Sequence, residues 1–453
     1  MALQLLPGIQ DEVTNLLRQL ILFDTTNPPG NETVAADFLL QNLTNDGFDC
    51  EIFESSPKRG SLVTRIKGTG EKPRLLLLSH LDVVSANSNE WQVNPFEGAV
   101  KDGFVWGRGA LDMKGMTAIE VMTLKLLKRN QIKLKGDVIL AATADEEMGG
   151  LGGADFMLRN HHDEIFAEYV LNEGGGSSIA TSGKKIYTIN TAEKGLLWFK
   201  VNAKGTPGHG SLPEAADNPI MKMNKVIGKL GNFQGEIQLI PTVQKFIQEI
   251  SDQDPSLRQY LDIIVKHPEK SKDALNELEK IAPAIADEIR PRLKMTFTPT
   301  IIQGGNKENV IPSECNAVID CRMLPGQSTI QAKAVINSLL SGVGLDKLKF
   351  EDIQTQEPSE SSMDTLLYSV IKEVLQEFEP NSGVAPSLMA GGTDSRFFRR
   401  MGSICYGFHP LQSETKFGEK AIRREHGIDE RISVDNLVFG TSVLYETVKR
   451  FMT

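Results

Sequence analysis

Apolar positions along the first 190 residues fall into two alternating patterns. Val13, Leu16, Leu17, Leu20 and Ile21 recur at helical spacing and predict a helix over residues 10–23, which Asn27-Pro28-Pro29-Gly30 ends. A second helix is predicted over residues 33–46, with Ala36, Phe38, Leu39 and Leu43 turned inward. Strand signals follow at residues 49–54, 61–66 and 74–79. The last contains Leu75-Leu76-Leu77-Leu78, a run expected of a strand buried on both faces. Residues 94–115 read as a glycine-punctuated loop, residues 116–129 as a long helix and Asp137-Val138-Ile139-Leu140-Ala141 as another buried strand. A helix near residues 153–159 and a strand at Tyr169-Val170-Leu171 continue the alternation, which predicts an α/β domain with a largely parallel sheet.

From Gly195 the pattern changes. Residues 196–203 read as a strand, 218–230 as a helix, 295–303 and 316–322 as strands, 329–340 as a helix and 348–353 as a strand. Residues 241–290 are polar, charge-rich and patterned as helices. With that insertion set aside, the order is strand–helix–strand–strand–helix–strand, a ferredoxin-like unit. The α/β pattern then resumes with a helix over 363–378, a short strand at 387–390, a helix starting in Gly391-Gly392-Thr393-Asp394-Ser395-Arg396, a strand at 403–407, a loop over 417–425 and a C-terminal helix over 434–451. The expected fold class is α/β, a mixed, largely parallel sheet in two sequence parts (1–194 and 357–453) with an inserted ferredoxin-like α+β lid (195–356).

Size agrees with two domains, since 453 residues exceed one ordinary core. A net charge of −10 and a pI near 5.4 argue against nucleic acid or an anionic membrane as partner. The first seven residues lack a basic segment and carry too short an apolar run for a signal peptide, and no stretch reaches the length of a membrane span. Cys50, Cys315, Cys321 and Cys405 form no CxxC pair, which fits reduced thiols and a cytoplasmic location; Cys315 and Cys321 share one strand face as core packing.

Candidate chemistry gathers where apolar runs end. His80 and Asp82 follow the Leu75–Leu78 run, Glu146 and Glu147 follow the 137–141 strand, and Glu173 follows the strand at Tyr169; Asp112 and His426 complete the set. Strand ends are where α/β sheets usually place chemistry. Each residue alone has a plainer reading: His80 a core histidine, Asp112 and Glu173 turn formers beside glycines, the Glu146-Glu147 pair a solvated turn. Taken together, two imidazoles and several carboxylates suit a pair of borderline ions such as zinc, with positions left for water and substrate. Asp82, two residues beyond His80, is placed to accept the other imidazole N–H.

His80-Leu81-Asp82, Gly109-Ala110-Leu111-Asp112-Met113-Lys114-Gly115, Asp145-Glu146-Glu147, Asn172-Glu173-Gly174 and His426-Gly427-Ile428-Asp429-Glu430 resemble the co-catalytic dizinc family of aminoacylase, acetylornithine deacetylase, succinyl-diaminopimelate desuccinylase and carboxypeptidases G and S. The resemblance runs in order over nearly the whole chain. It implies two Zn2+ per chain (Co2+ or Mn2+ as substitutes), one held by His80 and Glu173, the other by Glu147 and His426, bridged by Asp112. Glu146 would be the general base that takes a proton from the attacking water. Gly205-Thr206-Pro207-Gly208-His209-Gly210-Ser211 resembles the family's lid motif, whose histidine stabilises the oxyanion and often reaches across a homodimer formed through the lid. Asn309 and Arg322 match positions that hold a substrate carboxylate, although read alone they are a turn former and a surface charge. Gly392 and Thr393 lie in a matching substrate-side loop. Residues 394–398 and 426–434 look most like the carboxypeptidase S and N-acyl-amino-acid hydrolase branch, which implies hydrolysis of a peptide or N-acyl amino acid with a free carboxylate. A biosynthetic deacylase is the alternative within the family. A metal-binding interaction module on the same scaffold is the alternative outside enzymes, and it has no use for a base at Glu146. His161, His162, His267 and His409 read as surface or structural residues.

Overall fold

The Leu75-Leu76-Leu77-Leu78 run forms the strand Leu75–His80, fully buried and lying parallel to Val138–Thr143 on one side and Tyr169–Asn172 on the other. Side chains alternate across a strand. Accordingly Leu75 and Leu77 join the core under the helices Ile9–Leu22, Lys114–Arg129 and Val434–Met452, while Leu76 and Leu78 pack on the opposite face with Met157, Leu158, Phe397 and Phe398. These features come from a computed structural model, which describes residues 8–344, 347–420, 422 and 424–453. The N-terminal heptapeptide read against a signal peptide, and residues 421 and 423 of the expected 417–425 loop, lie outside the described residues.

The central sheet has ten strands. Its main path runs Cys50–Glu54, Gly60–Ile66, Val138–Thr143, Leu75–His80, Tyr169–Asn172, Ile404–Gly407, Lys185–Glu193 and Ser359–Glu360, with Gly383–Met389 and Ser178–Ala180 also paired to Lys185–Glu193. It is mixed and only partly parallel, less so than the sequence pattern predicts. Antiparallel pairs lie at both ends: Gly60–Ile66 runs against Cys50–Glu54 and Val138–Thr143, and three more involve Lys185–Glu193, a nine-residue strand that the sequence reading passed over. Its sequence mixes Ile186, Tyr187 and Ile189 with Thr188, Asn190 and Thr191, yet all but its first residue is buried because strands or helices cover both faces.

Gly195 starts a separate, wholly antiparallel sheet of four strands, ordered Thr296–Gly304, Glu314–Met323, Gly195–Lys204, Leu348–Gln356. The helices Pro219–Gly231 and Thr329–Leu340 cover one face, and Cys315 and Cys321 point into that small core. The polar segment folds as the helices Pro241–Gln253, Arg258–Lys266, Ser271–Ile281 and Pro283–Ile289. Although they interrupt the second sheet in sequence, their apolar faces pack with Ile186, Ala192, Ala385 and Leu388 of the central sheet.

A three-stranded sheet, two of its strands within the predicted 94–115 loop, completes the framework. Ala99–Lys101 and Phe104–Trp106 form a hairpin, and Arg431–Ser433 adds to it with Arg431 opposite Trp106. This pairing brings the chain around residue 430 against the chain around residue 110. Among the described residues, no helix is long and apolar enough to cross a membrane.

Candidate metal centre and active site

Three parallel strands end together, so His80, the turn after Thr143 and the residue after Asn172 emerge at one sheet edge. His80 Nε2 lies 3.1 Å from Asp112 Oδ1 and 3.9 Å from Glu173 Oε2. His426 Nε2 lies 3.0 Å from Asp112 Oδ2 and 3.2 Å from Glu147 Oε2. The result is two groups, His80–Asp112–Glu173 and Asp112–Glu147–His426, whose ligand atoms lie within 4.8 Å of one another. Asp112 belongs to both and turns one oxygen to each histidine.

This arrangement fits a pair of metal ions. Two ligands at about 2.0–2.1 Å from one tetrahedral ion stand roughly 3.3 Å apart, close to the histidine–carboxylate separations here. Glu147 Oε1 is buried with no hydrogen-bond partner among the described residues, as expected of an oxygen shaped for a cation. The excess of negative charge points the same way. Burial would lower the pKa of His80, but Asp112, Asp82 and Glu173 raise it well above the usual imidazole range. Asp112 and Glu147 push His426 up to about 10. Burial, then Glu173, pushes Glu146 well above the ordinary carboxylate range, and burial, then Asp112, does the same to Glu173. A site that draws protons onto its imidazoles and carboxylates this strongly is built to hold positive charge.

Asp82 acts differently from the expectation. His80 Nδ1 lies 2.9 Å from the backbone carbonyl of Asp82, against 3.5 Å from its carboxylate. The carboxylate instead accepts the backbone N–H groups of Glu146 and Glu147, both at 3.1 Å, and the Asn27 amide at 2.8 Å. It therefore holds the 3-10 turn Glu146–Met148 that aims both glutamates. Burial would raise its pKa, but His80, Asn27 and the Glu147 amide keep it below the usual value.

Glu430, quoted within a motif but given no role from sequence, performs the matching task for Asp112. Fully buried, it accepts the backbone N–H of Leu111 at 2.7 Å and of Asp112 at 3.0 Å, and pairs with Arg108 at 2.6 Å. Its signal in the sequence was an acid four residues after His426. Asp394 is a further buried acid, pushed up to about 7 by burial, with one oxygen lacking a partner among the described residues.

The substrate-side expectations land unevenly. Thr393 is buried, with its hydroxyl 2.7 Å from Glu193 Oε1 and accepting from Asn172, so it ties the loop to the sheet. Gly392 lets that loop approach Gln356, since a Cβ there would lie 2.2 Å from the Gln356 amide. His209 and Asn309 come together, because Gly208–His209 pairs with Val310–Ile311 and the Gly210 N–H bonds the Asn309 carbonyl. Both are exposed, and among the described residues the His209 ring bonds only Ser211. Arg322 sits on the lid strand Glu314–Met323, its guanidinium held in a fork by Asp320 at 2.8 and 3.1 Å.

A cavity of about 510 Å³ opens beside Asp112 and Glu173. Its walls include Asn190, Ser387, His409 and, from the helical insertion, Ala284 and Glu288. His409, read from sequence as surface or structural, is buried here, and burial holds its pKa down to about 4, against the pull of Asp112.

Residues 76–450 match the sequence model of the peptidase family M20/M25/M40. The chain belongs to that family. It is thus a metallopeptidase or amidohydrolase of the carboxypeptidase or aminoacylase type, acting on peptide or N-acyl amino acid bonds. This M20-family chain is 28% identical over 407 residues to the probable carboxypeptidase S-like 2 of Dictyostelium discoideum, covering 86% of this chain and 74% of the relative. It is 26% identical over 398 residues to the human N-fatty-acyl-amino acid synthase/hydrolase PM20D1, covering 84% and 75%. Its fold is that of an M20 family metallo-carboxypeptidase from Sulfolobus solfataricus, with a TM-score of 0.74 at 19% identity over 97% of this chain and 99% of the other.

Proposed function

We propose that this M20-family enzyme binds two metal ions, zinc being the ion its donors suit best, and hydrolyses the amide bond of a short peptide or N-acyl amino acid bearing a free carboxylate. The observation that carries this reading is Asp112, whose two oxygens face His80 and His426 at 3.1 and 3.0 Å beside Glu173 and Glu147. His80, Glu173 and Asp112 would hold one ion, and Asp112, Glu147 and His426 the other. Bound there, the ions would polarise the scissile carbonyl and acidify water.

The chain's own residues supply the rest. Glu146, beside the metal ligand Glu147 and with its basicity raised by burial and neighbouring acids, takes the proton from the attacking water and passes it to the leaving nitrogen. Asp82 and Glu430 orient Glu146 and Asp112 through their backbone N–H groups. His209, on the lid, would donate to the developing oxyanion once the lid, or the lid of a second copy in a homodimer, is brought over the centre. Arg322 and Asn309, also on the lid, would receive the carboxylate.

Chelation followed by metal add-back, in wild type and Glu146→Gln, tests this reading. Hydrolysis of dipeptides and N-acetyl amino acids by wild type should vanish on chelation and return with zinc, cobalt or manganese. Glu146→Gln should keep two ions per chain while turnover falls by roughly 10²–10⁴-fold. Full activity in exhaustively chelated protein, or loss of metal from Glu146→Gln, would refute the assignment.

A further inference from the structure

Two residues that line the cavity each carry a buried polar atom with no partner among the described residues: Ser387 Oγ and His409 Nε2. Such atoms are rare in folded proteins and costly to leave unpaired. Strand register explains where Ser387 stands. Ser387 stands directly opposite Asn190 across the parallel pair of Gly383–Met389 with Lys185–Glu193, so their side chains share a face. On the other side, Asn190 is opposite Gly407. A Cβ at Gly407 would lie 2.4 Å from the Glu173 carbonyl, so only glycine fits there, and His409, two residues beyond the end of that strand, also lines the cavity. Asn190, Ser387 and His409 are 7%, 1% and 7% exposed, and all three line the space beside Asp112 and Glu173.

Resting on the hydrolase reading above, we infer that Asn190, Ser387 and His409 form an uncharged hydrogen-bonding subsite for the acyl half of the substrate, which makes this enzyme selective for short, polar acyl groups such as the aminoacyl group of a dipeptide. Arg322, the residue proposed to read the carboxylate, is not among the residues lining this cavity; of the arginines that do line it, Arg292 pairs with Glu288 and Arg424 with Glu414, so the cavity is assigned to the other half of the substrate. A neutral imidazole, a hydroxyl and a carboxamide each both donate and accept, and together suit amide, amine or hydroxyl groups without demanding a charge. A long alkyl chain laid over them would offer the Ser387 and His409 atoms no partner.

The test compares kcat/KM on substrates that share one amino-acid leaving group and differ in acyl group: glycyl, lactoyl, butanoyl and hexadecanoyl. Metal-loaded wild type should favour glycyl and lactoyl over butanoyl and hexadecanoyl. Ser387→Ala and His409→Leu should each lower kcat/KM on glycyl and lactoyl substrates by roughly tenfold, about the worth of one neutral hydrogen bond, and leave butanoyl unchanged or improved. His409→Gln, which keeps a donor and an acceptor, should recover part of the loss. Ser387→Cys, near in size but a weak hydrogen-bonder, provides a second variant should Ser387→Ala prove unstable. Equal losses on polar and alkyl substrates, or a wild type that prefers hexadecanoyl, would overturn the subsite while leaving the hydrolase reading intact. Hydrolysis of none of the four by wild type with two ions bound would overturn the hydrolase reading itself.

Discussion

Glu430→Ala removes a carboxylate that the structure uses three times. It accepts two backbone N–H groups, from Leu111 and Asp112, and pairs with Arg108, 2.6 Å away and itself only 4% exposed. Breaking a buried ion pair from one side costs about 3–5 kcal/mol, because the remaining charge stays buried. The two amides would each add up to about 1–3 kcal/mol if stranded, but they are only partly buried and water can replace the carboxylate. We therefore expect a loss of about 3–5 kcal/mol, dominated by Arg108. Function should suffer separately, because the same two N–H bonds hold Asp112 between the two histidines. Losing an outer partner of a metal ligand typically weakens metal binding by roughly 10–100-fold. Urea unfolding of the chelated protein reads the first effect, and competition for zinc against a chromophoric chelator reads the second. Arg108→Met combined with Glu430→Ala should recover much of the stability, since no unpaired charge remains, yet none of the metal affinity. A single variant Glu430→Ala with unchanged unfolding midpoint and unchanged zinc affinity would refute the reasoning.

Three further outcomes follow from the geometry. Asp320 occupies the Arg322 fork, so Asp320→Asn should free it and lower KM for substrates with an α-carboxylate, while Arg322→Lys should raise KM for these and barely alter amidated analogues; equal effects on both substrate types would show that Arg322 does not read that group. His209→Ala should lower kcat by roughly 10²–10³-fold with two metal ions still bound, and mixing it with inactive Glu146→Gln should restore activity only if the histidine is supplied by a second copy; a wild-type kcat would remove His209 from the mechanism. His409, whose pKa falls from 6.5 unfolded to about 4 folded, binds its proton more readily in the unfolded chain, so its stabilising effect is complete above about pH 6.5 and is lost as pH falls toward about 4; His409→Gln should lose about 3 kcal/mol less than wild type across that window in urea unfolding, and parallel pH profiles would count against a buried neutral ring.

Much of this site was legible in the chain before it folded, and the reason is locality. The Leu75–Leu78 and 137–141 runs announce buried strands, and strand ends in an α/β sheet carry chemistry, so His80, Glu146, Glu147 and Glu173 could be singled out from a few neighbouring residues each. The donor set likewise argues for borderline metal ions from residue type alone. What folding decided is how residues far apart in sequence meet. Glu430 reaches Arg108 across 322 positions only because Arg431–Ser433 adds to the hairpin before it, a pairing no local pattern reveals. The Asp82 carboxylate was assigned to His80 on nearness in sequence, but the close return of the Glu146–Met148 turn gave it two better donors. The strand Lys185–Glu193 reads as indifferent in isolation, and burial on both sides is conferred by the strands and helices that pack on it. His409 read from sequence as a surface or structural residue, with nothing local to choose between the two. Tertiary packing buried it, because the chain leaving the strand Ile404–Gly407 is held by the His409 N–H to the Gly175 carbonyl, a partner more than 200 positions away.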